Sequence, residues 1–430
     1  MRLSKVAFVV AAALAAGPAV RAEEPSPPPA PAAQGAPPAK GDEAEARKKL
    51  EEQIAKDLGQ SAPASPAPPV GSQPPATPAP SGGAPQGGAT GGNPLARLLL
   101  LPDISAIGSF AAAFNDYDVG TASPRSGPYG TEADKLSFLF QELELGLQSV
   151  IDPYARADVF ISFVPGGVDV EEAYATTLNL PAGLQLKAGK FFSPVGRQNQ
   201  QHPHVWDFVD APLARTRVVA ADVLSGPGVD LAWLAPLPWF VELHLDAQST
   251  APFPDQSGPE ERLTGVVRLL QYFSFGDATT LGLGLSAARR DQATGGGFAD
   301  LGAIDLYLRW RPLTTRSYLA LQAELFGRRF VHVDLPSAGS GYAQLVWRQN
   351  AYFGYGVRYD QAPSGPDYGA PPASESGTER RCSAVGIWYP SEFSRLRLQL
   401  TQDQRPGGSQ GFEALLALEF GIGAHGAHPF

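Results

Sequence analysis

The sequence of 430 residues contains one cysteine and one methionine. A lone cysteine, Cys382, excludes an intramolecular disulfide and a metal site built from several thiolates. Lysine and arginine number 33 against 43 acidic residues, and there is no run of basic residues. This balance argues against nucleic acid as a partner. Beyond residue 22 the chain also lacks the roughly 18–20 consecutive apolar residues that a membrane helix requires.

The first 22 residues have the three parts of a secretory signal peptide. Two basic residues precede an apolar run from Val6 to Ala16, and small residues lead to a cleavage point near Glu23. We therefore predict that residues 1–22 are removed and that the mature protein is exported. The residues directly after this cleavage point include no cysteine that could carry a lipid anchor.

Residues 23–95 are dominated by Pro, Ala, Gly and Ser. This composition buries too little apolar surface to offset the entropy of ordering, and it predicts a disordered periplasmic spacer. Within the spacer, residues 43–58 (EAEARKKLEEQIAKDL) place Ala46, Leu50 and Ile54 on one stripe of a charged helix. Two interpretations stay open: a short parallel coiled coil in a homotrimer, or a transient solvated helix.

From about residue 103 onward, apolar and polar residues alternate in short segments. In 241–246 (VELHLD), the valine and both leucines share one face of a strand, and the charged residues and histidine share the other. Such alternation suits lipid outside and water inside. We predict sixteen strands, with fourteen or eighteen as alternatives. The predicted strands span 103–115, 134–149, 155–164, 168–179, 184–191, 228–234, 239–249, 261–274, 279–289, 300–311, 316–329, 341–348, 351–359, 381–389, 393–401 and 411–422.

The joins between these segments are alternately long and tight, with one short exception at Pro165–Gly167. The tight joins consist largely of Pro, Gly, Asn, Asp and Ser, the residues of β-turns. Tight turns on one side and long loops on the other are typical of an outer-membrane barrel. We therefore predict an all-β, transmembrane antiparallel barrel over 103–430, surrounded by outer-membrane lipid. Phe430 is then the terminal aromatic that the outer-membrane assembly machinery uses.

A secreted, soluble all-β protein would show the same alternation, with one polar face in solvent. Segment length separates the two hypotheses. Segments such as 261–274 exceed the usual globular strand of about 5–6 residues and suit a tilted bilayer crossing. Five tryptophans near predicted strand ends, together with Tyr352, Tyr359 and Tyr389, would form the aromatic bands of a membrane interface.

A barrel of sixteen strands leaves an aqueous channel. The longest join, 192–227, has its own aromatic and charged residues, and we expect it to fold into the barrel and narrow the channel. Charges of both signs line the predicted lumen, and the excess of arginine over lysine favours anions. The predicted constriction and selectivity residues are Lys187, Arg197, His202, His204, Asp207, Arg215, Arg217, Arg309 and Arg397.

Four of the six histidines occur as two pairs, His202 with His204 and His425 with His428. Paired histidines suggest a Zn²⁺ or Cu²⁺ site, although neither pair has a cysteine or third histidine nearby. An alternative hypothesis is therefore a barrel that binds or takes up a metal or small ligand through His202 and His204. Another is a structural protein tethered to the cell wall by the spacer. The spacing of serine, histidine and acidic residues does not assemble a Ser/His/acid set, and we predict neither catalytic residues nor a cofactor.

The segment Leu186–Gly196 (LKAGKFFSPVG) resembles the G-(Q/K)-F-x-x-P-x-G strand-to-loop motif of the phosphate-selective porin family. That family also places a short coiled-coil helix between the signal peptide and a sixteen-stranded trimeric barrel, as 43–58 would here. The resemblance implies a homotrimeric channel for passive diffusion of small hydrophilic solutes or ions, such as phosphate. The family's selectivity depends on an arginine ladder and a lysine cluster, whereas 192–227 contains no lysine.

Overall fold

A computed structural model of the chain describes residues 102–116, 136–254, 261–291, 297–313, 315–332, 337–363, 377–406 and 410–423. The predicted signal peptide 1–22, the spacer 23–95 with its helix, the pair His425 and His428, and Phe430 lie outside these residues. Among the described residues, no helix is both long enough and apolar enough to cross a membrane.

The described chain forms sixteen β-strands, as the sequence predicts. They are β1 Asp103–Asn115, β2 Ser137–Asp152, β3 Ala155–Val164, β4 Gly167–Thr177, β5 Leu184–Phe192, β6 Ser225–Leu234, β7 Phe240–Thr250, β8 Arg262–Phe275, β9 Thr279–Asp291, β10 Phe298–Trp310, β11 Tyr318–Val331, β12 Ala338–Arg348, β13 Phe353–Pro363, β14 Thr378–Ser391, β15 Ser394–Gln404 and β16 Gln410–Gly423. Each predicted strand matches one of these, and the largest difference is the end of β13, at residue 363 instead of 359.

The strands close into a barrel in which each pairs antiparallel with its sequence neighbours. Closure comes from β1 and β16, whose paired residues run from Ser105 with Gly423 to Asn115 with Glu413. A closed barrel has no outer strand edge, so most ladder groups find partners within the wall. The shortest ladder joins β4 and β5, which pair only over Ala173–Thr176 with Lys187–Lys190. Closure of the barrel is the condition that a β structure must meet to cross a bilayer.

Side chains alternate between the two faces of the wall. In β10, Leu301 and Asp305 point inward and are buried, whereas Ile304 points outward and is 55% exposed. The inner face carries most of the arginines and acidic residues of the strands, and the outer face is largely Leu, Val, Ile and aromatic. An apolar outer face of this extent is stable only in contact with lipid.

A band of tryptophans lines the tight-turn end of the barrel on the side from β6 to β14. These residues lie at or beside strand ends and are 40–49% exposed: Trp233, Trp239, Trp310, Trp347 and Trp388. Amphipathic rings favour this depth because they contact both lipid and water. The prediction that Tyr389 belongs to the band is wrong. Its ring packs inward against a buried cluster that contains Phe208 and Ile387.

Candidate functional site

The connection between β5 and β6, residues 193–224, folds into the barrel, and we name it the inner loop. It contains two short 3-10 turns, Gln198–Gln200 and Pro203–Val205, and a short helix α1, Leu213–Val218. Asn199 joins its two ends, because the side-chain amide donates to the carbonyls of Ser193 at 3.0 Å and Leu224 at 2.9 Å. The inner loop therefore leaves the wall with both ends held together.

Apolar contacts fix the inner loop against the inner wall. Val218 and Leu224 pack in one buried cluster with Leu301 and Phe326 of the wall. Phe208 packs in a second cluster, and Val209 in a third, with Ala111 and Leu415. Each fully buried side chain of this size contributes about 1.5–3 kcal/mol. These clusters make the inner loop a packed part of the fold.

Glu324 of β11 holds the first half of the inner loop. Its carboxylate is fully buried and accepts hydrogen bonds from the backbone N–H groups of Arg197 at 2.9 Å and Gln198 at 2.8 Å. The hydroxyl of Tyr342 donates to the same carboxylate at 2.5 Å. Hydrogen bonds to a charged group are stronger than those between neutral groups. Glu324 thus fixes the position of the backbone at residues 197–198.

Asp210 holds the second half of the inner loop. Its carboxylate pairs with Arg358 of β13 at 2.6 Å and Arg381 of β14 at 3.1 Å, and it accepts from Gln399 of β15 at 2.7 Å. The neighbouring Arg397 donates to the carbonyl of Trp206 at 2.9 Å. Side chains from three adjacent strands therefore converge on one stretch of loop backbone.

The inner loop crosses the bore. Arg197 contacts β11, and five residues later His202 contacts Glu144 of β2 and Glu172 of β4. In a ring of sixteen strands, β11 and β3 are eight positions apart, so these contacts lie on opposite walls. Five residues extend at most about 18 Å. The backbone therefore passes through the lumen between these two walls.

Three of the predicted cationic residues pack on tyrosine rings. The distances from the charged group to the ring centre are 4.6 Å for Lys187 on Tyr174, 3.9 Å for Arg197 on Tyr307 and 4.5 Å for Arg309 on Tyr318. Within the part of the chain that the structure describes, none of the three cations forms a salt bridge with a carboxylate. Acidic side chains lie near two of these cations without pairing with them: Lys187 acts electrostatically on Glu172 and Asp246, and Arg309 acts on Asp207.

The remaining charged residues predicted for the constriction are more enclosed. Arg217 pairs with Glu379 of β14 at 3.0 Å, and Arg215 is buried, which lowers the pKa of its guanidinium. Burial raises the pKa of Asp207, and the nearby guanidinium of Arg395 opposes this shift. Arg215 and Arg217 therefore contribute to the packing of the inner loop as well as to its charge.

His202 is buried among three carboxylates. Its Nδ1 lies 2.9 Å from Glu144 and 2.8 Å from Glu171, and its Nε2 lies 2.7 Å from Glu172. His204 Nδ1 lies 3.2 Å from the same oxygen of Glu144. Burial opposes protonation of His202, but hydrogen bonds to the three carboxylates outweigh it and hold the pKa well above its usual range.

Two β-bulges place extra polar side chains in this region. The extra residue is Gln141 in β2 and Glu171 in β4. At a bulge the strict alternation of faces is interrupted, so two consecutive residues can point to the same side. Accordingly Gln141 and Glu142 are both buried, and Glu171 lies beside His202 together with Glu172. Alternation in the sequence assigns only Glu172 to the lumen.

The glycines of the segment Leu186–Gly196 have a conformational role. Gly189 has φ +139°, and a Cβ there would lie 2.2 Å from the backbone oxygen of Ala173. Gly196 has φ +66°, and a Cβ there would lie 2.2 Å from a carboxylate oxygen of Glu324. Positive φ and close approach both favour glycine. The segment thus turns the chain from the wall into the lumen.

The structure does not bring the nine predicted pore residues together in one ring. His202 and His204 lie beside β2 and β4, and Arg217 and Arg397 hold the inner loop at β14 and β15. Lys187, Arg197 and Arg309 lie on tyrosines, and Asp207 and Arg215 are within the inner loop. The sequence did not predict that Glu171 faces the lumen, because no feature of the sequence indicates the bulge that turns its side chain inward.

No protein-family model matches the chain. An uncharacterised protein of Aquifex aeolicus (strain VF5) is 29% identical over 398 residues, which cover 79% of this chain and 82% of that protein. Three solved structures share the fold. One is the outer membrane channel DcaP of Acinetobacter baumannii, with a TM-score of 0.52 and 12% identity over 75% of this chain and 97% of that one. The second is an anion-selective porin from Comamonas acidovorans, with a TM-score of 0.51 and 10% identity over 75% of this chain and 99% of that one. The third is Pseudomonas putida OprB, with a TM-score of 0.51 and 10% identity over 75% of this chain and 94% of that one.

These similarities show that the chain has the fold of outer-membrane porins. The apolar outer face and the tryptophan band agree with that class of protein. The barrel accordingly belongs in an outer membrane.

Proposed function

We propose that the chain is a passive outer-membrane porin that admits small hydrophilic solutes or ions, with the inner loop as its constriction. The observation that carries this proposal is a closed barrel of sixteen strands whose polar bore is crossed by a loop fixed through Glu324 and Asp210. A lumen with charged and hydrogen-bonding groups lowers the cost of taking a polar solute out of bulk water. Transport of this kind makes and breaks no covalent bond.

We propose further that the channel prefers anions. Support comes from Lys187, Arg197 and Arg309, which rest on tyrosine rings instead of pairing with carboxylates. Phosphate is a candidate anion because a guanidinium binds two of its oxygens at once. The resemblance of Leu186–Gly196 to the phosphate-selective porin motif agrees with this choice.

We propose that the barrel works as a homotrimer and that Phe430 directs its assembly. Support for the trimer comes from the stripe Ala46, Leu50 and Ile54 in the sequence. Chemical cross-linking of the whole chain, compared with a chain lacking 43–58, measures the contribution of this helix. Removal of Phe430 should reduce the amount of heat-modifiable barrel recovered from membranes.

Planar-bilayer recordings of the refolded protein in asymmetric KCl test the channel and its selectivity together. We expect stable unitary current steps and a reversal potential displaced toward that of chloride. The double substitution Arg197→Gln with Arg309→Gln should move the reversal potential toward that of potassium, because it removes two cations from the lumen. Added phosphate should reduce the chloride current of the unsubstituted channel more than that of this variant.

Arg289→Gln is the matched control. Arg289 lies on the outer face and pairs with Asp300 at 2.7 Å, so this change removes the same charge from outside the bore. It should leave the reversal potential unchanged. A folded, heat-modifiable barrel without unitary steps would contradict the porin proposal. A reversal potential that is the same before and after the double substitution would contradict the preference for anions.

A further inference from the structure

Three carboxylates surround His202, and its imidazole ring has too few N–H groups to donate a hydrogen bond to each of them. Oxygens of Glu144, Glu171 and Glu172 all lie within 2.9 Å of its two nitrogens. An imidazole has at most two N–H donors, so one of the three oxygens receives no proton from this ring. Both Glu144 and His202 are 2% exposed. Excess negative charge in such an enclosed place is costly unless a cation neutralises it.

His244, also in the lumen, shows the balanced arrangement. Its Nδ1 lies 2.9 Å from Asp230 and its Nε2 lies 3.2 Å from Glu242, so each nitrogen has one carboxylate. At His202, by contrast, two carboxylate oxygens share Nδ1. A metal ion that replaces the proton on Nδ1 can bind both oxygens, which a single proton cannot do.

We propose that the inner loop and the wall form a binding site for one transition-metal dication of the Zn²⁺ class, with His202, His204, Glu144 and Glu171 as ligands. The ligand atoms of Glu144, His202 and His204 lie within 4.8 Å of one another. In a tetrahedral zinc site with bonds of about 2.0–2.2 Å, ligand atoms are about 3.3–3.6 Å apart. The nearest ligand atoms lie at 2.8, 2.9 and 3.2 Å here, so the site needs to expand by a few tenths of an ångström.

Glu172 would not bind the metal itself, but would accept a hydrogen bond from the ligand His202. It accepts the Nε2–H of His202 at 2.7 Å, which leaves the lone pair of the ring on Nδ1, facing Glu144 and Glu171. A carboxylate behind a ligating imidazole is the usual arrangement at metal sites, where it orients the ring and raises its basicity. Imidazole with carboxylate suits Zn²⁺ and its transition-metal neighbours better than Mg²⁺ or Ca²⁺, which prefer oxygen ligands alone.

The β-bulge in β4 is an independent observation in favour of this site. It turns Glu171 toward His202 when regular alternation would turn it toward lipid. Bulges that re-aim side chains are common beside functional sites. A metal here would join the inner loop to β2 and β4 at the side of the bore opposite Glu324.

Isothermal titration with ZnCl₂ of the refolded full-length protein in detergent, after treatment with a chelator, tests the site directly. We expect one Zn²⁺ per barrel. Glu171→Gln and His204→Gln should each weaken binding by at least about tenfold, and Glu172→Gln by about 10- to 100-fold. Co²⁺ bound in place of Zn²⁺ should give the absorption bands of a four-coordinate site, and His204→Gln should abolish them.

Two controls separate this site from other histidines. His244→Gln and the double substitution His425→Ala with His428→Ala should each keep the affinity of the unsubstituted protein. Glu171→Gln keeps the shape of the side chain and removes its charge, so it tests the site even where a histidine variant fails to give a heat-modifiable barrel. Absence of stoichiometric binding from a protein with normal unitary conductance would overturn the metal site and leave the porin proposal standing. Equal affinity in the Glu171→Gln and unsubstituted proteins would also overturn it.

Discussion

Replacing Glu324 by alanine should release the first half of the inner loop from the wall. The change removes the acceptor of four hydrogen bonds, from the N–H groups of Arg197 and Gln198, from the hydroxyl of Tyr342 and from the side-chain amide of Gln322. Hydrogen bonds to a charged group contribute about 1.5–3 kcal/mol each. The cost of burying the carboxylate offsets part of this sum, so we expect a net loss of about 3–5 kcal/mol for the attached state.

A loss of this size shifts the ratio of attached to released backbone by roughly 10²- to 10⁴-fold. Two measurements follow from it. Unitary conductance and current noise should both rise, because residues 196–200 no longer hold one position in the bore. Trypsin should cleave after Arg197, which is 9% exposed in the native protein, at a rate that increases with the population of released loop.

Asp305→Ala is the matched control for Glu324→Ala. Asp305 is a buried acid on the neighbouring strand β10, but its hydrogen bonds among the described residues come from Arg268 of the wall, at 2.7 and 3.0 Å, and not from the inner loop. This variant should lower the stability of the barrel without exposing Arg197 to trypsin. Unchanged conductance together with unchanged cleavage at Arg197 in Glu324→Ala would refute the reasoning that Glu324 holds the loop.

Three further outcomes are expected. Asp210→Ala leaves Arg358 and Arg381 without their shared carboxylate, costs about 3–5 kcal/mol, and should lower the temperature at which the barrel loses its heat-modifiable form. Gly196→Ala forces a side chain to φ +66°, costs about 1–2 kcal/mol before any clash, and should increase tryptic cleavage of the inner loop. Ile304→Arg places a charge on the lipid face of β10, costs about 2–4 kcal/mol, and should lower the urea midpoint for unfolding from vesicles; an unchanged midpoint would contradict lipid contact there.

The strands could be predicted from the sequence because their signals are local. Alternation sets the two faces of each strand, and turn residues end it, so segments such as 155–164 and 103–115 agree with the structure at both ends. Larger differences occur where a strand runs on past the membrane into a long join. The end of β13 at Pro363 is an example, because its faces still alternate there but the outward residues after Tyr359 are Gln361 and Pro363, which lack the apolar side chains that mark the strand in the sequence.

The contacts of the inner loop could not be predicted in the same way. Its position depends on which side chains of distant strands lie at the same height along the barrel axis. That height is set by the register of every strand pair that lies between the two strands. Asp210 and Arg358 are 148 residues apart, and nothing in either segment indicates the partner. The carboxylate of Glu171 is a different case, because its direction depends on a bulge of one residue.

The crossing of the bore by residues 197–202 also has a mechanical consequence. A barrel wall is one sheet thick, and lateral pressure from the bilayer can flatten its circular cross-section toward an ellipse. The inner loop acts as a brace between β11 and the β2–β4 side, attached through Glu324 at one end and His202 at the other. One diameter of the barrel is thereby fixed, so the width of the opening should depend little on the tension or thickness of the surrounding membrane.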